Sequence, residues 1–127
     1  MDRRLAVIAV ITNDAGQVLS VTRRDRPGDY TLPGGKVEEG ERPSYAATRE
    51  CYEETGVSVT YLEYAFSAVG ANPIYDIDVF RVVAYRGTPR QKEDGIEVAW
   101  IDPLLLLSRE CTCRLFYEKH FSAIFGK

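Results

Sequence analysis

One segment bounds a helix at both ends and constrains the fold more than any other part of the sequence. Pro43 suits the first helical position, because the N–H that proline lacks would have no helical partner there. Gly56 suits the residue just past the last turn, which often adopts a left-handed conformation. The sequence therefore predicts a helix from Pro43 to Thr55. The pair Gly34-Gly35 precedes this helix and allows a close approach of the backbone to a ligand.

Three carboxylates of the predicted helix lie on one face. Glu50, Glu53 and Glu54 stand at positions i, i+3 and i+4, which are neighbours at about 3.6 residues per turn. Like charges placed in this way weaken a helix unless something compensates them. A divalent cation is the obvious compensation, because clustered carboxylates select hard cations, and Mg²⁺ binds through a few carboxylates while it keeps waters and takes phosphate oxygens. The face therefore predicts a cation site.

The net charge is concentrated in the same segment. The 127 residues include 16 basic and 19 acidic side chains, a net charge of −3. Residues 35–57 hold six Glu against three basic residues, so the rest of the chain is balanced with 13 of each sign. Because no basic path is visible, the sequence argues against a protein that coats nucleic acid, and a nucleic-acid partner is not expected. A small anionic substrate reached through a metal fits this pattern.

Length and composition fit one ordinary soluble domain. With 127 residues and 45% hydrophobic residues, the chain can bury a core without disulfide or metal support, so residues 1–127 are predicted to form a single domain. The three cysteines are odd in number and lack zinc-site spacing, which favours reduced thiols. The N-terminal apolar run is too short for a signal peptide or a membrane span. We therefore expect a cytoplasmic protein without membrane contact.

Strands are predicted on both sides of the helix. The predicted strands are Leu5–Thr12, Val18–Thr22, Val57–Ser67, Tyr75–Tyr85 and Ile96–Ile101. The first two are interpreted as a hairpin, and a loop is predicted for Arg23–Asp29. A short helix is predicted after Asp102-Pro103, and a longer one at the end of the chain. These elements predict an α/β fold, in which a mixed β-sheet is covered on both faces as a three-layer α/β/α sandwich.

Residues 35–57 also follow a spaced pattern. Gly35 is followed after five residues by Glu41, and after seven more by the run RECYEETGV. This arrangement resembles the Nudix box, G-x5-E-x7-R-E-U-x-E-E-x-G-U, where U is a bulky apolar residue. Cys51 stands at the first U position and behaves as a small hydrophobe when it is buried. The flanking strands are similar to the Nudix fold as well, so the resemblance, closest to small MutT-like members, covers essentially the whole chain.

The resemblance implies a bound divalent cation, Mg²⁺ with Mn²⁺ as a substitute. The implied ligands are a backbone oxygen of Gly34 and the carboxylates of Glu50, Glu53 and Glu54. In the family a further glutamate often comes from a later loop, and here Glu93 and Glu97 are the candidates. Which carboxylate acts as the general base differs among Nudix enzymes, so Glu50 and the loop glutamate both stay open.

Other residues of the pattern acquire supporting roles from the resemblance. Arg49 orients the glutamates, with Glu41 as its structural partner, and Gly56 closes the box. The implied phosphate-contacting residues are Arg23, Gly35 and Lys36. The neighbouring Arg24 and Arg26 are expected to be merely solvated side chains.

The function implied by the resemblance is Mg²⁺-dependent hydrolysis of a nucleoside diphosphate linked to another moiety, by attack of water at phosphorus. A nucleoside triphosphate, including oxidised nucleotides, is the leading substrate, and an ADP-ribose or dinucleoside polyphosphate is the alternative. Pro73 and Tyr75 both match positions associated with the alternative branches, so these two residues do not distinguish an ADP-ribose substrate from a dinucleoside polyphosphate. A non-catalytic nucleotide-sensing module is the alternative of another class, although such a module would be expected to lose box glutamates. Because many members of the family form homodimers, the resemblance implies a homodimer as one candidate oligomeric state.

Overall fold

The structure, a computed structural model, describes residues 3–126. Seven strands and two α-helices follow in the order β1 Arg4–Val10, β2 Val18–Arg23, β3 Arg26–Thr31, β4 Gly34–Lys36, α1 Pro43–Thr55, β5 Ser58–Val69, β6 Tyr75–Arg86, β7 Val98–Ile101 and α2 Arg114–Phe125. A 3₁₀ helix, Pro103–Leu107, lies between β7 and α2. No helix of the described residues is long and apolar enough to cross a membrane.

The strands form two sheets. One is a four-stranded mixed sheet in the order β4-β1-β6-β5, in which β1 and β6 are parallel and the other pairs are antiparallel. The second is a three-stranded antiparallel sheet in the order β3-β2-β7. Helix α1 packs on one face of the mixed sheet and α2 on the other. The predicted α/β fold with a mixed sheet covered on both faces is confirmed.

Strand β1 is buried on both faces because its alternate side chains meet different helices. Val7 belongs to a buried cluster with Ala47 of α1. Val10 belongs to the largest cluster, together with Tyr117 and Ile124 of α2. A strand enclosed in this way needs apolar residues at every position, which is why its sequence is a continuous Val, Ile and Ala run rather than an alternating one.

The predicted hairpin of the first two strands is wrong. β1 and β2 belong to different sheets, and the chain between them makes only an isolated bridge between Thr12 and Val18. Its two hydrogen bonds run from the Leu19 N–H to the Ile11 carbonyl and from the Asn13 N–H to the Gln17 carbonyl. The turn residues correctly indicated a reversal of the chain. They could not indicate that the chain passes from the first sheet to the second at this reversal.

The predicted loop at residues 23–29 is also wrong, because β3 begins at Arg26. Asp25 adopts a left-handed conformation, with φ of 56°, and closes a tight turn between β2 and β3. Pro27 and Gly28 then lie within an edge strand, where a missing N–H or side chain is tolerated. The strand was missed because proline, glycine and aspartate are more typical of loops than of strands.

Helix α1 has the predicted bounds. Pro43 occupies the first turn, and Gly56 ends the helix with φ of 78° while its N–H donates to the Tyr52 carbonyl. In the predicted short helix, which is 3₁₀, the Asp102 side chain accepts a hydrogen bond from the Leu104 N–H as an N-cap. Both ends of α1 and the start of the short helix were predictable because the signals at these positions are local.

Candidate active site

A cleft of about 570 Å³ lies between the carboxylate face of α1 and the β2–β3 turn. Its acidic side is formed by Glu50, Glu53, Glu54 and the loop residue Glu93. Its basic side is formed by Arg23, Arg24 and Arg26. Opposite charges therefore face the same space, as a site for a cation bound together with an anionic ligand requires.

Arg49 organises the carboxylate face. Its Nε and Nη2 atoms donate to the two carboxylate oxygens of Glu41, at 2.7 and 2.9 Å. Its Nη1 atom donates to Glu50 at 2.7 Å and to Glu53 at 3.2 Å, and Nη2 also reaches the Lys36 carbonyl at 3.1 Å. Hydrogen bonds from Arg49 lower the pKa of the Glu41 carboxyl to about 2. Both Glu41 oxygens are committed to this ion pair, so Glu41 braces the site rather than entering it.

Glu54 is the carboxyl that the fold leaves least compensated. Burial raises its pKa to about 9, and the neighbouring Glu50 adds to the increase. The opposing contact is a long one, from the Gly34 N–H at 3.5 Å. Without a cation, Glu54 therefore holds its proton at neutral pH. A bound cation would supply the missing positive charge.

The two glycines before α1 leave space for different neighbouring groups. A Cβ atom at position 35 would lie 2.5 Å from the Glu50 carboxyl group, so Gly35 provides the space that this carboxylate occupies. A Cβ atom at position 34 would overlap the carbonyl oxygen of Val7, on the strand next to β4. The absence of a side chain at Gly34 therefore allows β4 to pair with β1, and its absence at Gly35 allows the Glu50 carboxylate to occupy its place on the carboxylate face.

The carboxylates fit a magnesium-type site rather than a closed cage. Among residues 3–126, no three His, Cys, Asp or Glu side chains converge as a complete metal cage. Arg49 already compensates Glu50 through a hydrogen bond at 2.7 Å, whereas burial raises the pKa of Glu54, to which Arg49 does not donate. Mg²⁺ is usually bound by a few carboxylates and keeps several waters and phosphate oxygens, so it does not require a closed protein cage. The buried, uncompensated Glu54 and the open cleft suit such an ion.

The two candidate loop glutamates lie in different places. Glu93 lines the cleft, whereas Glu97 does not. The Glu97 backbone instead pairs with Thr22, through its N–H to Oγ1 at 2.9 Å and its carbonyl to the Thr22 N–H at 2.9 Å. The geometry therefore favours Glu93 as the loop carboxylate.

The basic side of the cleft contains two guanidinium groups with unused donors. Arg23 and Arg26 lie near the Asp29 carboxylate, with Nε–Oδ2 distances of 4.0 and 3.7 Å. Asp29 is only 2% exposed and accepts two hydrogen bonds from Thr112. Neither arginine side chain makes a hydrogen bond to any other described residue, so their N–H groups are available for phosphate oxygens. The negative charge of Asp29 partly compensates the positive charges of Arg23 and Arg26.

Arg24 differs from its neighbours, and the expectation that it is merely solvated is wrong. It forms an ion pair with Glu93 at 2.8 Å. Arg26 was expected to be solvated too, and the structure places it on the cleft wall. The run of arginines was visible in the sequence, but nothing in it indicated which side chain faces which partner.

Lys36 lies outside the cleft and lines a second cavity of about 250 Å³. This cavity is mainly apolar, and its walls include Ala6, Ile8, Tyr75, Ile77 and Phe116. Thr31 lines both spaces, so the cavity and the cleft adjoin. Sequence reasoning missed the cavity because its walls come from strands and a helix far apart in the chain.

Comparisons with known proteins identify the family of this chain. The NUDIX domain profile matches residues 2–112, which is most of the chain. This chain belongs to the NUDIX family. The recognition made from the spaced pattern is confirmed. In this Nudix chain the box begins at Gly35 within β4, includes α1, and ends at Val57, just before β5.

Several relatives of this Nudix chain can be compared along its length. A MutT-like protein from Streptomyces ambofaciens is 33% identical over 101 residues, which cover 78% of this chain and 64% of the relative. An oxidized purine nucleoside triphosphate hydrolase from Mus musculus is 38% identical over 96 residues, covering 72% and 62%. The chain thus spans a little less than two thirds of each relative. A solved MutT protein from Methanosarcina mazei Go1 has a TM-score of 0.73 at 26% identity, covering 93% of this chain and 92% of that one.

Proposed function

We propose that this Nudix chain, acting as one domain, is a Mg²⁺-dependent pyrophosphohydrolase whose substrate is a nucleoside triphosphate, including oxidised nucleotides. The observation that carries the proposal is the cleft in which three box glutamates face two arginines with free donors. A phosphate chain bridging a cation and guanidinium groups would satisfy both sides. A non-catalytic sensing module would have no need for all the carboxylates that the box retains.

The adjoining cavity supports a nucleoside as the other part of the substrate. A flat aromatic base needs an apolar space with few polar groups, and the walls of the second cavity are of that kind. The cavity meets the cleft at Thr31, so one molecule can place its base in the cavity and its phosphates in the cleft. The Mus musculus relative, named for oxidised purine nucleoside triphosphates, supports the same substrate class.

The residues of the cleft divide the work of hydrolysis. Glu50, Glu53, Glu54 and a backbone oxygen of Gly34 would hold the cation. When bound, it supplies neutralisation of the phosphate oxygens and polarisation of the phosphorus centre. Arg49 keeps the carboxylates of Glu50 and Glu53 in place, and Mn²⁺ would fit the same oxygen ligands.

Glu93 is the best-placed general base. Glu50 would be occupied by the cation, whereas Glu93 lies outside the helix face and still lines the cleft. In the proposed step Glu93 takes a proton from the attacking water, the new P–O bond forms, and the bond to the leaving phosphate oxygen breaks. Arg23 and Arg26 bind the phosphate oxygens whose charge increases. The products are a nucleoside monophosphate and pyrophosphate.

A substrate panel tests the proposed function directly. The purified protein is incubated with Mg²⁺ and normal or oxidised nucleoside triphosphates, ADP-ribose, dinucleoside polyphosphates or capped RNA, and the products are separated by chromatography. We expect a monophosphate and pyrophosphate from a triphosphate. Faster cleavage of ADP-ribose or of a dinucleoside polyphosphate would change the assigned substrate and leave the assigned reaction type unchanged. Binding of a nucleotide without any cleavage would establish the sensing module instead.

The two loop glutamates give a matched pair of variants. We expect Glu93→Gln to lower kcat by about 10²-fold, because a general base typically contributes a factor of about 10² to 10⁴. Glu97→Gln should stay within about two-fold of the unchanged protein, since its side chain lies outside the cleft. Steady-state rates with the best substrate of the panel check both. A larger loss in Glu97→Gln would reverse the assignment.

The raised pKa of Glu54 predicts a particular dependence of stability on pH. Its folded-state pKa of about 9 lies above the ordinary value of 4.5, so the folded protein holds the extra proton between these values. The contribution of this protonation to the free energy of unfolding is fully present below pH 4.5 and is lost as the pH rises through 9. We expect the Tm of the protein in EDTA to fall between pH 6 and 9, and to fall less in Glu54→Gln. Thermal melts of both proteins across this range measure the difference.

Magnesium should reverse this trend. The cation replaces the proton on Glu54, so Mg²⁺ binding should release protons and become tighter as the pH rises. Calorimetry in two buffers with different ionisation enthalpies counts the released protons. Parallel Tm curves for the unchanged protein and Glu54→Gln, or Mg²⁺ binding without proton release, would contradict the assignment of Glu54.

A further inference from the structure

The segment between β6 and β7 is attached on both sides of the cleft. On the side of α1, the Arg90 N–H donates to the Thr55 carbonyl at 2.9 Å, at the last residue of the helix. The Lys92 ammonium group lies 4.5 Å from the centre of the Tyr52 ring, also on α1. These contacts hold the beginning of the segment to the helix that carries the box carboxylates.

On the opposite side, Arg24 holds two consecutive residues of the segment. Its Nη2 atom donates to the Glu93 carboxylate at 2.8 Å, and its Nη1 atom donates to the Asp94 carbonyl at 2.8 Å. The next residue of the turn continues the attachment, since the Asp25 N–H donates to the Gly95 carbonyl at 2.8 Å. One guanidinium group thus fixes both a side chain and the backbone beside it.

This contact is suited to local positioning rather than to global stability. The Arg24 and Glu93 side chains are 57% and 58% exposed, and exposed ion pairs contribute little to the free energy of unfolding. The planar fork of arginine nevertheless sets direction, because its two donors must reach two different acceptors at once. Lysine has a single nitrogen and cannot reproduce that arrangement.

We propose that Arg24 is a positioning residue, which fixes the Glu93 carboxylate at the rim of the cleft by holding its side chain and the adjoining backbone. This inference rests on the proposed function, since Glu93 has a chemical task only if the protein hydrolyses its ligand. Arg24 acts through Glu93 and not on the substrate, because its two terminal nitrogens are already engaged by the segment. Arg23 and Arg26 remain the phosphate-contacting pair.

The kinetic consequence is a loss of turnover without a matching loss of binding. Arg24→Gln should lower kcat by about 10-fold or more and leave KM within about two-fold, because the carboxylate is mispositioned while the phosphate contacts persist. Arg24→Lys should keep the charge but recover only part of the rate. The double variant Arg24→Gln/Glu93→Gln should be no slower than Glu93→Gln alone, since both changes remove the same contribution.

Amide hydrogen exchange provides a measurement that does not depend on activity. In Arg24→Gln we expect about five-fold faster exchange at Asp25 and Ile96, whose N–H groups bond within or to the segment. The Arg90 amide is an internal control, because it bonds to α1 on the other side and should not change. Arg26→Gln makes the same charge change on the same wall and should leave exchange unaltered.

The outcomes separate this inference from the function on which it rests. Arg109→Gln, an exposed arginine away from the cleft, serves as a variant that should keep both rate and exchange. Unchanged exchange in Arg24→Gln, or rate losses in Arg24→Gln and Glu93→Gln that multiply in the double variant, would overturn the positioning role. If the unchanged protein cleaves no substrate, the proposed function fails, while the exchange data still decide whether Arg24 fixes the segment.

Discussion

Replacement of Glu53 by glutamine is expected to lower kcat by about 10³-fold, which corresponds to about 4 kcal/mol of lost transition-state stabilisation. The side chain is half exposed and accepts a hydrogen bond at 3.2 Å from Nη1 of Arg49, which also donates to Glu50. The substitution therefore removes a charge from the cation-binding face without removing any core packing. Among the box glutamates, this position separates chemistry from folding best.

The Glu53→Gln experiment needs a charge-matched control. Glu39 lies in the same acidic segment, is exposed and stands outside the spaced pattern, so Glu39→Gln should retain the full rate. Initial rates are measured over a range of Mg²⁺ concentrations, and the Tm of each variant is recorded beside them. We expect the Tm of Glu53→Gln to remain within a few degrees of the unchanged protein. Full activity in Glu53→Gln would refute the catalytic reading of the box.

Helix α1 was predicted correctly because each of its boundaries depends on a single local signal. Pro43 and Gly56 act through their own backbone properties, whatever the rest of the chain does. The partition of strands into two sheets has no such local signal. The turn after β1 is encoded by Asn13 and its neighbours, but the choice of sheet for β2 is made by long-range packing of Val18 and Leu19 against distant residues.

The candidate site shows the same division between local and distant information. Glu50, Glu53 and Glu54 come together through helical spacing, which the sequence displays directly. The contact between Arg24 and Glu93 joins residues 69 positions apart, and no short pattern encodes it. Thr31, where the cleft and the second cavity meet, was likewise visible only after β3 had been recognised as a strand.

The adjacent glycines provide the other large expected effect, because one methyl group at each position should fail in a different way. In Gly35→Ala the new Cβ would lie 2.5 Å from the Glu50 carboxyl group, which can rotate away. We expect kcat to fall by about 10²-fold, since a displaced ligand no longer meets the cation, with a loss of stability of about 1 kcal/mol. Kinetics and urea unfolding of the same preparation measure the two losses.

Gly34→Ala should instead damage the fold itself. The new Cβ would overlap the Val7 carbonyl oxygen, and β1 cannot retreat because it is packed on both faces. Overpacking against fixed backbone is expected to cost about 3 kcal/mol or more, so the urea midpoint should fall sharply or the protein should not fold. A stable Gly34→Ala protein, or a fully active Gly35→Ala protein, would show that the neighbouring atom yields more easily than its packing implies. The contrast matters because both glycines belong to one short motif, yet only at Gly35 would the added methyl group meet a carboxylate of the site.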